Sequence, residues 1–251
     1  MTPTIRKWLF ETLYRNRYLY RFASTVPFAG QWRIWQRLVL PRIRGMDVLE
    51  LGCGLGDLQI DLRKASYQSH AIELSPQMVA AARDALRRHK LGDPSNIILG
   101  SAQSLPFGDA SFDTVVSTFP SEYIYDPDTI AEVERVLRPG GRLIVAEGAN
   151  LLPVGFLQPL LVLLQILVYG PATLLGRRKQ RQIEENKAPR KQTTHADDTV
   201  TEVVPDAWFG RNIPLERFDL QRRSEMVRSR RWEVYITIGE KTPWPVGPKE
   251  S

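Results

Sequence analysis

The sequence predicts an α/β fold, a doubly wound parallel sheet closed at its C-terminal end by an antiparallel hairpin. Three observations carry that reading. Short apolar runs alternate with helix-patterned stretches from residue 45 to about 150. A glycine-rich turn follows the first of those runs, and two β-like runs lie back to back near the end of the chain. Strands alternating with helices at this spacing bury a parallel sheet between helical layers.

The elements follow in order. "MDVLELG" (46–52) reads as a buried strand and "GDLQIDLRKAS" (56–66) as a helix. "SHAIELS" (69–75) is a second strand. Ser75 then caps the helix "SPQMVAAARDALRRHK", with Pro76 at its first position, where a missing N–H is no loss. "NIILG" (96–100) and "FDTVVST" (112–118) are the third and fourth strands. "DPDTIAEVERVLRPGG" opens on Asp126 and Pro127, aligns Ile130, Val133, Val136 and Leu137 on one side, and stops at a glycine pair; "RLIVAEG" (142–148) is the fifth strand. A short helix or turn around Pro214–Phe218 precedes the runs "LQRRSEMVRS" (220–229) and "WEVYITIGEK" (232–241), which pair as a hairpin and bring the strands to seven. Residues 2–44, rich in Trp, Tyr and Arg, read as a helical arm in two pieces broken near Pro27 and Gly30, and Lys179–Thr201 as a polar, mobile stretch.

Composition is that of an ordinary globular chain, 43% hydrophobic and 25% charged, so 251 residues suffice for one large α/β domain. The net charge of +6 is unevenly spread. Residues 1–44 hold nine Lys/Arg against one acid and 151–191 seven against two, whereas 45–150 hold nine against fifteen. Such basic flanks suit an anionic membrane or a nucleic acid, and equally a plain solvated surface. The single cysteine, Cys53, excludes an internal disulfide and a Cys-based zinc cluster. No secretory h-region stands in the first thirty residues, which leads to a cytoplasmic expectation.

The chemistry begins at "VLELGCGLGD". Gly52, Gly54 and Gly56 stand at alternate positions between a strand and a helix, where glycine permits a sharp turn and close approach of a ligand to a helix N-terminus. The nicotinamide fingerprint wants glycine at 57, which is Asp here. Glu73 ends the second strand, seventeen residues beyond Gly56, where a carboxylate accepts ribose hydroxyl protons in dinucleotide folds.

With "VLELGCGLGD", "AIELSPQMVAAAR", "GSAQSLPFGDASFDTVVST" and "VLRPGGRLIVAE" in this order, the chain resembles the class I S-adenosylmethionine-dependent methyltransferases, above all the type-11 group that includes ubiquinone/menaquinone C-methyltransferases. The resemblance covers residues 45–148 well, the hairpin moderately, and the arm and insert hardly at all. It implies a Rossmann-like seven-stranded sheet with S-adenosylmethionine as cofactor. It also implies that Glu50 and the Gly52–Cys53–Gly54–Gly56 loop cradle the methionine part, that Glu73 holds the ribose, and that Leu74 packs beside the adenine. Where the family usually places an adenine-binding acid, this chain has Ser101, so recognition there leans also on Ala102 and Gln103. Cys53 reads as a packing residue within the loop.

Methyl transfer asks mainly for alignment of donor and acceptor in a dry space. Ligands collect at the carboxyl ends of the strands, so "STFPSEYIYDP" forms the first wall, with Thr118, Phe119, Glu122 and Tyr123 as candidates. Glu122 is a candidate general base or a loop acid, and Tyr123 a site or a core residue. His195 is a lid candidate or a loop histidine, while His70 and His89 look structural. No metal constellation is legible. Cytosine C5 chemistry would need a cysteine outside the cofactor loop, and no RNA-binding module can be read. Three readings stay open: a methyltransferase of a lipophilic small molecule such as a quinone, isoprenoid or lipid at the membrane surface; a nucleic-acid or protein methyltransferase; and a non-catalytic cofactor-binding, membrane-associated protein.

Leu151–Gly176 pass without a charge and end on Arg177, Arg178 and Lys179. Because the closing hairpin belongs to the same sheet, both ends of this insert must lie on one side of any bilayer. The longest piece free of Pro and Gly, Leu160–Tyr169, is about 15 Å as a helix, half a hydrocarbon core. The expectation is a lid, a dimer face, or peripheral membrane contact through 151–181 together with the basic arm. Four regions result: 1–44 a basic aromatic arm, 45–150 the cofactor-binding core, 151–210 the insert, and 211–251 the closing helix and hairpin of the same domain.

Overall fold

The computed structural model describes residues 31–151, 163, 192–194, 199–203, 212–229 and 231–243. Five parallel strands form the first part of one sheet: β1 (Asp47–Leu51), β2 (Gln68–Glu73), β3 (Ile97–Leu99), β4 (Phe112–Thr118) and β5 (Leu137–Leu151). Antiparallel to β5 lies β9 (Trp232–Lys241), followed by β8 (Leu220–Arg228), β7 (Val200–Val203) and β6 (Gln192–Thr194). The order is β3-β2-β1-β4-β5-β9-β8-β7-β6. The α/β doubly wound class and the closing hairpin are therefore as expected, but the described sheet has nine strands rather than seven. The two additional strands lie in and just after the stretch read as a polar loop. Three- and four-residue strands carry too little alternation to stand out; β7 pairs with the open edge of β8, whose backbone donors and acceptors it satisfies, and β6 pairs with β7. β5 is also longer than its sequence pattern, running from Leu137 through Pro139–Gly141, which had read as a turn.

Central strands read as continuous apolar runs because both faces are covered. On one face lie α1 (Trp32–Arg37), α2 (Asp57–Lys64) and α3 (Pro76–His89), packed on Val48, Val116, Ile144, Ala146 and Ile236, and on Ala71 and Ile97 towards β2 and β3. The other face carries α4 (Pro127–Val136) with Ile213, Leu215 and Leu220 over Leu49, Leu51, Val115, Leu143 and Val145. Alternate residues of each strand thus serve opposite layers. Ser75 caps α3 by accepting from the Met78 N–H at 3.4 Å, and the helix buries Met78, Val79, Ala82 and Leu86 at helical spacing. Asp126 caps α4 through the Asp128 N–H at 3.0 Å.

The described end of the basic arm is part of this core. Trp35 of α1 is fully buried, edge-on to Trp232 with ring centroids 6.3 Å apart. Arg33 and Arg37 both close on Asp61 of α2, at 2.9 and 2.8 Å. These three side chains hold α1 on the sheet, with Arg33 and Arg37 still part-exposed. Residues 1–30 and most of the apolar insert, 152–162 and 164–191, lie outside the described residues. β5 enters the insert and β6 leaves it within one sheet, and no helix among the described residues is long and apolar enough to cross a membrane.

Candidate active site

The site is built at the carboxyl end of β1. Three glycines of the loop adopt left-handed backbone, with φ of +71° at Gly52, +53° at Gly54 and +80° at Gly56. A side chain at two of them also meets occupied space. A Cβ on Gly52 would stand 2.8 Å from the Tyr123 hydroxyl, and one on Gly56 2.9 Å from the Ala82 methyl of α3. The glycines therefore draw α2, α3 and the Tyr123 turn close around a tight loop.

Two acids border it. Glu73, at the end of β2, reaches back so that Oε2 accepts from the Gly54 N–H at 3.0 Å and Oε1 from the Ser75 N–H at 2.9 Å. Leu74 beside it is 73% exposed, a large apolar surface turned to solvent next to that carboxylate. Glu50 is only 1% exposed and accepts from Gln59 Nε2 at 2.8 Å. Burial pushes its carboxyl up to about 8; the Gln59 bond opposes the rise, and Glu73, Asp57 and Asp61 add to it. A buried acid without a cation among its described partners, beside a loop of left-handed glycines and an exposed apolar side chain, suits a ligand with an ammonium group, a ribose and a flat base.

Cys53 packs against Ile60, Ala71 and Val79, and burial, with Glu50 and Glu73, pushes its thiol well up, so it is an inert core residue. Ser101, Ala102 and Gln103 form a turn after β3. The Ser101 hydroxyl bonds the Gln103 side chain and accepts from the Gln103 N–H at 3.3 Å, while Gln103 Nε2 donates to Asp126 at 3.2 Å. His70 lies edge-on between Phe107 and Phe112, its pKa lowered by burial and by Arg63. His195 lies outside the described residues.

Beyond β4 the candidates part company. Thr118 Oγ1 accepts from Gln36 Nε2 of α1 at 3.2 Å. Phe119 has φ +52°, and its ring lies 4.4 Å from that of Trp32. Both side chains thus face the α1 layer. Tyr123 faces the other layer, donating to the Leu51 carbonyl at 3.0 Å with its oxygen 2.8 Å from Ser117 Oγ. This ties the 3-10 turn Glu122–Tyr125 to the mouth of the glycine loop, and Glu122 in the same turn is exposed.

Sequence reasoning passed over two acids. Asp61 holds the arm, and Glu147, half-buried near the end of β5, accepts from Thr237 Oγ1 of β9. Burial raises the Glu147 carboxyl, Thr237 and Arg222 opposing. The signal available was a lone acid closing the otherwise apolar run "LIVAE".

Comparison with known proteins agrees with this geometry. Residues 49–145 match the profile of a methyltransferase-domain family. A ubiquinone/menaquinone biosynthesis C-methyltransferase of Hahella chejuensis is 34% identical over 125 residues, 47% of this chain and 50% of that one. A demethylmenaquinone methyltransferase of Symbiobacterium thermophilum is 31% identical over 149 residues, 57% and 58% of the two chains. The chain thus spans about half the length of the curated relatives it matches. A solved structure from Methanococcus maripaludis, assigned as an S-adenosyl-L-methionine-dependent methyltransferase, superposes with a TM-score of 0.55 at 20% identity, covering 90% of this chain and 91% of that one, a likeness of fold. Residues 49–145 thus carry the match to a type-11 methyltransferase domain, in a fold shared with an S-adenosylmethionine-dependent methyltransferase, and S-adenosylmethionine is the cofactor these likenesses imply.

Proposed function

We propose that this protein transfers a methyl group to a ring carbon of a lipophilic quinol-type acceptor at a membrane surface. One observation carries the reading: the 31–34% identity to a Hahella enzyme named for ubiquinone/menaquinone C-methylation and a Symbiobacterium enzyme named a demethylmenaquinone methyltransferase. When bound, the cofactor supplies an electrophilic methyl group on a sulfonium. Glu50 meets its ammonium, Glu73 its ribose hydroxyls, and Leu74 with Ser101–Gln103 the adenine. Gly52, Gly54 and Gly56 let the backbone approach closely, and the turn of Glu122 and Tyr123 borders the acceptor space. The surface-membrane part rests on the uncharged run 151–176, the Arg177–Lys179 cluster behind it and the basic character of residues 1–30.

The test is incubation with radiolabelled cofactor and a demethylated quinol in vesicles of anionic lipid, with a total-RNA and protein extract in parallel. Label in the organic phase on the quinone ring is the expected result. Label confined to the aqueous polymer fraction would overturn the reading in favour of a nucleic-acid or protein acceptor. Tight cofactor binding with no label in either fraction would leave a binding protein.

A further inference from the structure

Resting on the quinol reading, we infer that Glu147 is the proton acceptor of the reaction, standing across the acceptor space from the cofactor loop. Glu147 lies at a bulge: β5 pairs with β9 through Ala146 and Ile236, then through Gly148 and Tyr235, which leaves Glu147 as the additional residue. Bulges re-aim a side chain at the end of a ladder. Here the direction is fixed by the bond from Thr237, because Thr237 pairs with Val145, a residue of the α4 face. The same face carries Leu51, Ser117 and Val145 in register across β1, β4 and β5, with the Tyr123 hydroxyl bound over the first two. Glu147 is one step nearer the carboxyl ends than this row. It stands two strands from the glycine loop, about 10 Å by the ordinary strand spacing. That interval is wide enough for one planar ring, were the methyl donor held at the glycine loop.

The backbone keeps the interval clear. By strand alternation Phe119 would follow Ser117 onto this face and place its ring beside Glu147. Its left-handed φ of +52° instead sends the ring to Trp32 and the α1 layer, while its N–H stays bound to the Ala146 carbonyl at 2.7 Å. A bulky residue held in that conformation is strain retained at a position where the alternative would fill the site.

The carboxyl is also chemically suited. Thr237 is its one hydrogen-bond donor among the described residues and occupies Oε1, which leaves Oε2 to receive a proton. Of the charged groups around it, Arg222 of β8 bears on it and Glu233 of β9 is engaged by Arg228 and the Tyr235 hydroxyl. β4 has no titratable side chain from Thr114 to Phe119; of the 3-10 turn, Tyr123 is already bound to Leu51 and Ser117, Tyr125 packs against the apolar core, and Glu122 is exposed to solvent. C-methylation replaces a ring hydrogen. The ring carbon gains the methyl, the electron pair of the broken C–S bond stays on sulfur, and the acceptor sheds one proton, which ends on Glu147 Oε2 and passes to water between turnovers.

The experiment measures kcat against pH, with cofactor affinity by calorimetry, for wild type, Glu147→Gln and Thr237→Val. Glu147→Gln should lower kcat about a hundredfold or more while cofactor Kd stays within about twofold. Wild-type kcat should rise with pH through the titration of the carboxyl. Thr237→Val removes a bond that lowers that value, so its limb should move to higher pH with the plateau retained. Wild-type activity with Glu147→Gln within about threefold of it, or a limb unmoved in Thr237→Val, overturns the inference and leaves the quinol reading standing. A wild type that binds cofactor but methylates no quinol sinks both.

Discussion

The raised pKa of Glu50 makes a quantitative statement about stability. An unfolded glutamate titrates near 4.5, whereas in the fold burial pushes Glu50 to about 8. The folded protein therefore binds more protons between those values, and stability falls as pH rises from about 4.5 through 8. At about 1.4 kcal/mol per pH unit, the cost reaches about 3 kcal/mol at pH 7 and levels off near 5 kcal/mol above pH 8. Glu50→Gln removes the titration and keeps an oxygen for the Gln59 amide. Urea unfolding of the two proteins without cofactor should give curves that differ little in pH dependence below pH 5 and separate steadily above it, the variant gaining about 3 kcal/mol relative to wild type by pH 7. Cofactor should reverse the order, because its ammonium compensates the charged Glu50 and has no counter-charge in the variant. Parallel stability–pH curves for the two proteins would refute the argument, since burial without compensation would then not be what governs this carboxyl.

Other outcomes follow from the same geometry. Glu73→Ala should raise the cofactor Kd at least tenfold, since hydrogen bonds to a charged group contribute about 1.5–3 kcal/mol; unchanged affinity by calorimetry would exclude the ribose role. Gly56→Ala combines a left-handed φ of +80° with a Cβ 2.9 Å from Ala82 Cβ and 3.1 Å from its Cα, so it should lower the melting temperature well beyond Gly108→Ala, whose added Cβ would come no nearer than 3.6 Å to Ser111 Oγ. Burial raises Asp61, but the bonds from Arg37 and Arg33 outweigh it and the pKa is lowered. Its stabilisation is thus present above 3.8 and lost as pH falls through the folded value. Asp61→Asn should release α1 at neutral pH, with a red shift of Trp32 and Trp35 fluorescence; emission identical to wild type would show that Trp35 packing alone holds the helix.

Most of the fold was legible in the chain itself. Ser75–Pro76 and Asp126–Pro127 announce α3 and α4 because capping is a local transaction between a side chain and N–H groups two or three residues on. β1, β4 and β9 are recognisable because burial on both faces imposes an apolar run. The glycine loop, Glu50 and Glu73 were legible for the same reason: they occupy one βαβ unit, in which spacing along the chain is spacing in space.

What tertiary structure decided is where long-range partners meet. Nothing near Asp61 in the chain tells of Arg33 and Arg37, which reach it from 28 and 24 residues away. β7 is laid on the open edge of β8, and β6 in turn on β7. Phe119 stands in the predicted acceptor wall by sequence, yet its side depends on one backbone angle that no apolar pattern encodes. Glu147 looked like the end of a strand until the β5–β9 register made it a bulge and Thr237, 90 residues on, gave its carboxyl a direction. Local chemistry specifies the glycine loop with Glu50 and Glu73, proposed as the cofactor cradle, whereas the proposed acceptor side is assembled from strand ends distant in sequence, and contacts of that kind are set by sheet register rather than by any stretch of the chain.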